Sequence, residues 1–178
     1  EALIAAPEER QRQLVLGALV DAEPENLAER VLVLAGLQVH YAALAAQLAA
    51  GDLKPVADSV CPCCGGAPMS SSVVGWPKAH NSRFCACSLC GTQWNAVRVK
   101  CVFCNATGGL SYLAIENRPD TIKAEACETC GRYLKILYQV KNHLLDPLAD
   151  DLGSLDLDMR LAQEGWKRGG ENPFLFGY

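Results

Sequence analysis

The sequence Cys61-Pro62-Cys63-Cys64-Gly65 opens a unit that starts again 40 residues later, at Cys101-Val102-Phe103-Cys104-Asn105. Each opening is followed by a second pair, Cys87/Cys90 in the first unit and Cys127/Cys130 in the next, with 22 residues between the pairs in both. Four Cys-x-x-Cys pairs in register make an internal repeat of one supersecondary unit. Two thiolates with two residues between them can occupy two corners of a tetrahedron only where the backbone turns tightly. Gly65, Gly91 and Gly131 follow three of the pairs and can adopt positive φ at little cost. Asn105, which tolerates the left-handed region, follows the fourth.

This spacing is the ligand layout of zinc ribbons and rubredoxin-like sites, in which two hairpin knuckles close on one tetrahedral metal. It predicts two metal ions per chain. Cys61, Cys64, Cys87 and Cys90 are the ligands of one, and Cys101, Cys104, Cys127 and Cys130 of the other. Four thiolates suit zinc, and iron takes the same set, so the ligands alone leave the metal open. Disulfides of a secreted domain, or thioredoxin-like redox pairs, are the competing readings. A thioredoxin-like motif occurs once, opening a helix after a strand, whereas here four copies come in register. Cys63 and Cys85 fall outside the repeat, where Phe103 and Glu125 stand one period later, and read as apolar fillers or free thiols. Their closeness leaves the register of the first site open, with six sulfurs for four places.

At 178 residues and 50% hydrophobic, the chain can build one ordinary core with a smaller metal-stapled region. The expected class is α+β: a helical N-terminal part, two tandem rubredoxin-like or zinc-ribbon units with short antiparallel strands, and a short C-terminal helix. The expected divisions are 1–58, 59–100, 101–145 and 146–178, the first belonging to a longer helical region because the chain starts at Glu1 rather than Met. Cysteines used for metal rather than disulfides point to a reducing compartment, the cytoplasm.

The net charge of −4 is unevenly spread. Residues 1–60 carry nine acids and four bases, and 146–178 carry seven acids and three bases. Residues 61–104 contain no acid and four bases, Lys78, Arg83, Arg98 and Lys100. Part of that positive charge offsets the net negative charge of a divalent metal on four thiolates. With Trp76 and Trp94 nearby, the same segment suggests an exposed basic and aromatic face for a partner.

Along the chain, Pro7 to Val20 reads as a helix with Glu8 and Glu9 in its first turn. After a turn containing Pro24, a second helix is expected from about Glu25 to Ala50. Val31 to Ala50 has no charge and is long enough to cross a bilayer, but seven alanines and the polar Gln38, His40 and Gln47 favour a helix packed on several sides by others. His40 is then a satisfied core or groove histidine. Strands are expected at Ser70–Val74, Arg83–Ala86, Trp94–Lys100, Leu110–Ile115, Ile122–Ala126 and Tyr133–Val140, the last alternating Leu134, Ile136, Tyr138 and Val140 on one face. The strand from Trp94 runs straight into Cys101 and would join the units. Asp156 to about Trp166 is a short helix docking through Leu157, Leu161 and Trp166, followed by an aromatic extended ending from Gly169 to Tyr178.

Gly-rich phosphate loops, Gly-x-Ser-x-Gly and His-Glu-x-x-His do not occur in the sequence, and its histidines are three. A metal on four cysteines has no open position for water or substrate, which favours a binding protein over a hydrolase. A nucleic-acid-binding zinc ribbon is one alternative, weakened by a pI near 5.4. A rubredoxin-like electron carrier is the other.

Cys61-Pro62-Cys63-Cys64-Gly65, the run Arg83-Phe84-Cys85-Ala86-Cys87-Ser88-Leu89-Cys90, Trp94, and Val97 to Cys101 with Cys104 resemble the metal-binding core of the FdhE family of formate dehydrogenase accessory proteins. The acidic Asp146-Pro147-Leu148-Ala149-Asp150-Asp151 and the run from Gly165 to Pro173 are also similar. The resemblance covers roughly residues 55–178. It implies a cytoplasmic maturation factor for respiratory formate dehydrogenase that binds the catalytic subunit before export. It also implies rubredoxin-like centres, which makes iron at least as good a candidate as zinc.

Overall fold

The computed structural model describes residues 5–20 and 27–175. The expected turn around Pro24 and the last residues of the aromatic ending, 176–178, lie outside the described residues. Helix α1 spans Glu8–Val20 and packs on α2, Leu27–Ala45. Beyond Ala45 the chain tightens into i,i+3 turns, Gln47 N–H to Leu44 O and Leu48 N–H to Ala45 O, and α2 stops short of Ala50.

By length and composition α2 is apolar enough to cross a membrane. It is not packed on several sides as the composition suggested. One side meets α1, and Tyr41 and Ala45 pack on the first cysteine unit, where the Gln38 amide donates to Ser88 O at 2.8 Å. Leu32 and Val39 on its outer side are 63% and 73% exposed. His40 is exposed too, edge-on to Tyr41, rather than in a core or groove.

The repeat folds as two three-stranded meanders in one sheet. The first has β1 Pro68–Val73, β2 Arg83–Cys87 and β3 Gln93–Ala96; the second has β4 Leu110–Leu113, β5 Ile122–Cys127 and β6 Arg132–Leu137. Within each, neighbours are antiparallel, and the sheet order is β3-β2-β1-β6-β5-β4. The units therefore join side by side through the parallel pair β1–β6, with Ser71 opposite Ile136 and Ser72 opposite Leu137. The expected continuous strand from Trp94 into Cys101 does not form: β3 ends at Ala96 and a turn follows, because the lateral pairing has already placed the units.

That junction also changes the reading of Tyr133–Val140. Strand β6 ends at Leu137, and from Tyr133 to Leu137 every residue is buried, so it is central and covered on both faces instead of alternating. Leu134 packs with the first unit's cysteines, while Tyr133 packs with Leu157 and Leu161. Helices α3, Ala149–Gly153, and α4, Leu155–Gln163, lead to β7, Lys167–Arg168, which pairs parallel to the start of β6. The chain then passes over the junction, Gly169 N–H bonding to Tyr133 O and Glu171 N–H to Pro68 O.

Candidate metal centres

Each unit builds its first knuckle by the same local device. Gly65 N–H bonds back to Cys61 O at 3.0 Å and Cys61 N–H to Gly66 O at 2.9 Å; in the second unit Asn105 N–H bonds to Cys101 O and Cys101 N–H to Ala106 O at the same distances. Gly65, Asn105, Gly91 and Gly131, one after each pair, have φ of 77°, 63°, 69° and 67°. Cys87 and Cys127 end β2 and β5, so the second knuckle of each unit hangs from the end of a central strand of its meander.

The eight cysteines named from the repeat form two groups, in each of which all four Sγ atoms lie within 4.8 Å of one another. Cys61 and Cys90 are 3.6 Å apart, Cys64 and Cys87 3.4 Å, Cys101 and Cys130 3.8 Å, and Cys104 and Cys127 3.6 Å. A tetrahedral ion with metal–sulfur bonds of about 2.3 Å separates its sulfurs by about 3.8 Å, so the donor set and the spacing fit an ion in each group. Iron and zinc both fit this set. Cys85 lies outside both groups, wholly buried on β2, where burial pushes its thiol up to about 12. Cys63 lies beside the first group without joining it.

The thiols of the first group split in their acidity. Hydrogen bonding from Cys87 pulls Cys61 down to about 5, and the same contact raises Cys87. Burial pushes Cys64 up to about 11. In the second group burial takes Cys101 up to about 12, while at Cys127 burial is outweighed by the Cys130 backbone N–H and the thiols of Cys104 and Cys101, leaving it at about 7. Around the first group, Leu89 N–H and Cys90 N–H point at Cys87 Sγ, and Thr92 Oγ1 is 3.1 Å from Cys90 Sγ. Thr92 was not singled out from the sequence, and the repeat could not reveal it, since Arg132 stands at the matching place.

The basic face expected over residues 61–104 is not assembled. Arg83 is buried against Glu125, Lys100 is paired with Asp58 at 2.6 Å, and Trp94 is buried with its indole N–H on Asp58 O. Lys78, Arg98 and Trp76 remain exposed, Trp76 lying on Phe84. No acid lies within residues 61–104, so the partners of Arg83 and Lys100 come from outside the segment. His80 and His143 are exposed, away from both cysteine groups.

Comparison with known proteins adds a family. The family described as "FdhE, central domain" matches residues 60–98, and "FdhE, C-terminal domain" matches residues 99–175. A "Protein FdhE homolog" of Rhizobium meliloti (strain 1021) is 44% identical over 176 residues, covering 97% of this chain and 58% of that protein. A "Protein FdhE" of Escherichia coli O9:H4 (strain HS) is 49% identical over 117 residues, 65% of this chain and 37% of its own length. The crystal structure of the FdhE protein from Pseudomonas aeruginosa superimposes with a TM-score of 0.82 at 32% identity, over 99% of this chain and 62% of that one. The chain thus spans somewhat more than half the length of the R. meliloti relative.

Proposed function

Because the chain belongs to the FdhE family, we propose that it is an accessory protein in the maturation of respiratory formate dehydrogenase, engaging the catalytic subunit in the cytoplasm before export and not itself turning over formate. The structural observation that supports this reading is the pair of four-cysteine groups fused into one sheet. An ion held by four thiolates offers no place for water or substrate and fixes the shape of the surface around it, as in structural metal sites. The bound metal would supply that fixation, and the cysteine residues of each unit would hold it. Iron and zinc are separated by elemental analysis with a visible absorption spectrum, ferric thiolate being coloured and zinc thiolate colourless.

The nucleic-acid alternative loses two of the four cations that supported it, Arg83 being buried against Glu125 and Lys100 paired with Asp58. The test is capture of partners by the intact protein from nuclease-treated extract of cells expressing respiratory formate dehydrogenase. The maturation reading expects the catalytic subunit, still bearing its export signal, to remain bound. Recovery only of partners that disappear with nuclease, or no enrichment of that subunit, would overturn it.

A further inference from the structure

The two cysteine groups match in sequence but not in surroundings. The first is part of the hydrophobic core: Cys61, Cys87 and Cys90 pack with Trp94, Val102 and Leu134, with Leu89, Phe103, Tyr41 and Ala45 around them. A Cβ on Gly66 would lie 3.2 Å from Cys87 Sγ and 3.3 Å from Cys64 Sγ, so the backbone itself closes that side. Two of the covering residues, Val102 and Phe103, come from the second unit's own knuckle. Having lent them to the first group, the second unit keeps little for its own. Its apolar cluster, Ala124, Ala126, Tyr133, Leu157 and Leu161, contains none of its cysteines. Cys104 is exposed where its counterpart Cys64 is half-buried, and Cys130 is half-buried where Cys90 is buried.

We propose that the second group is an exchangeable metal site, trading a thiophilic divalent cation with solution through Cys104, while the first holds its ion as a permanent part of the core. The proposal rests on the reading that both groups bind metal. Exchange at a tetrahedral thiolate centre starts when one sulfur leaves or an incoming ligand reaches the ion. Cys104 can do the first and admit the second without any core side chain moving. At the first group either event requires opening the core, a far rarer fluctuation.

The test uses the full chain carrying two equivalents of zinc, challenged with excess EDTA in the presence of iodoacetamide, with zinc release followed over time and alkylated cysteines located by peptide mass spectrometry. The expected result is one equivalent released at least about tenfold faster than the other, since sub-global opening is far commoner than opening of the core. Alkylation at Cys104 and Cys130 accompanies the fast phase, and Cys61, Cys64, Cys87 and Cys90 stay unmodified until the slow one. Cys104→Ser should bind one equivalent and show only the slow phase. Release of both equivalents at one rate, or alkylation of Cys61, Cys64, Cys87 or Cys90 before Cys104, would overturn the proposal while leaving metal binding intact; the free thiol of Cys63 is not counted. Failure of the protein to hold two equivalents would overturn the four-cysteine reading itself, and this proposal with it.

Discussion

Arg83 of the first unit and Glu125 of the second form an ion pair, Nη1 to Oε1 at 2.8 Å, with side chains 0% and 3% exposed. The pair crosses the β1–β6 junction, held by Arg83 Nε on Ser71 Oγ and by the Tyr112 hydroxyl on Glu125 Oε2. Removing one partner strands a buried charge. Arg83→Met should cost about 3–5 kcal/mol, whereas Arg83→Met with Glu125→Leu should recover most of it. Urea denaturation of the two single variants and the double variant checks this, and a double variant no more stable than Arg83→Met would contradict it.

Glu125 also shows what the sequence could and could not reveal. The grouping of the repeated cysteines was legible, because a 40-residue offset is a local regularity and the turn residues after each pair take the positive φ their identities allow, although Cys63 and Cys85 left six sulfurs for the four places of the first group. The joining of the units was not, since β1–β6 pairing is parallel and separated by more than 60 residues. Yet Glu125 stands where the first unit has Cys85, a core strand position, and a carboxylate there requires a buried cation. Lys135 carries a similar signal, lying between Tyr133 and Leu137 on one face of β6. Neither signal names the partner, which long-range packing alone supplies.

Metal should hold the first unit together. Its core is built on cysteines, and structural metal binding contributes on the order of 10 kcal/mol in ribbon-like peptides. Cys61→Ser with Cys64→Ser should lose one metal equivalent and amide protection over β1 to β3, and loosen α2 where it meets Ser88. Cys85→Val, in the same core but outside the group, should keep both equivalents. Hydrogen exchange with elemental analysis reads both variants; protection unchanged in the double serine variant, or one equivalent lost in Cys85→Val, would refute the assignment.

Loading should release protons. In the metal-free first group Cys64, held up to about 11 by burial, and Cys87, raised by its contact with Cys61, are protonated at neutral pH, whereas Cys61 near 5 is already a thiolate. Binding must displace at least the two protons on Cys64 and Cys87. Apparent affinity should therefore rise with pH, by about tenfold per displaced proton per pH unit near neutrality, and fall as the pH is lowered. Competition against a chromogenic chelator at several pH values measures the slope, and a pH-independent affinity would show that the thiols are not the ligands.

The run after α4 should act as a clasp over the junction. Arg168 Nη2 reaches Asp151 Oδ2 and Nη1 reaches Asp158 Oδ1, both at 2.6 Å, while buried Lys135 meets the same two carboxylates and Asn172 caps Asp151 at 2.7 Å. Arg168 also donates to Met69 O on β1, so the charge cluster spans both units. Two cations balance two anions. Arg168→Ala leaves both carboxylates on one ammonium and should cost about 3–5 kcal/mol, and Arg168→Lys should not restore it, since one ammonium cannot replace a fork that reaches two carboxylates. Gly170→Ala separates clasping from charge: an added Cβ would lie 2.6 Å from Met69 O, so the strap must lift while every charged residue remains. Both Arg168→Ala and Gly170→Ala should lose amide protection at β7 and at Gly169 and Glu171, whose N–H groups bond to Tyr133 O and Pro68 O at the starts of β6 and β1. Loss in the arginine variant alone would mean that the charges stabilise the helices without the strap holding the junction.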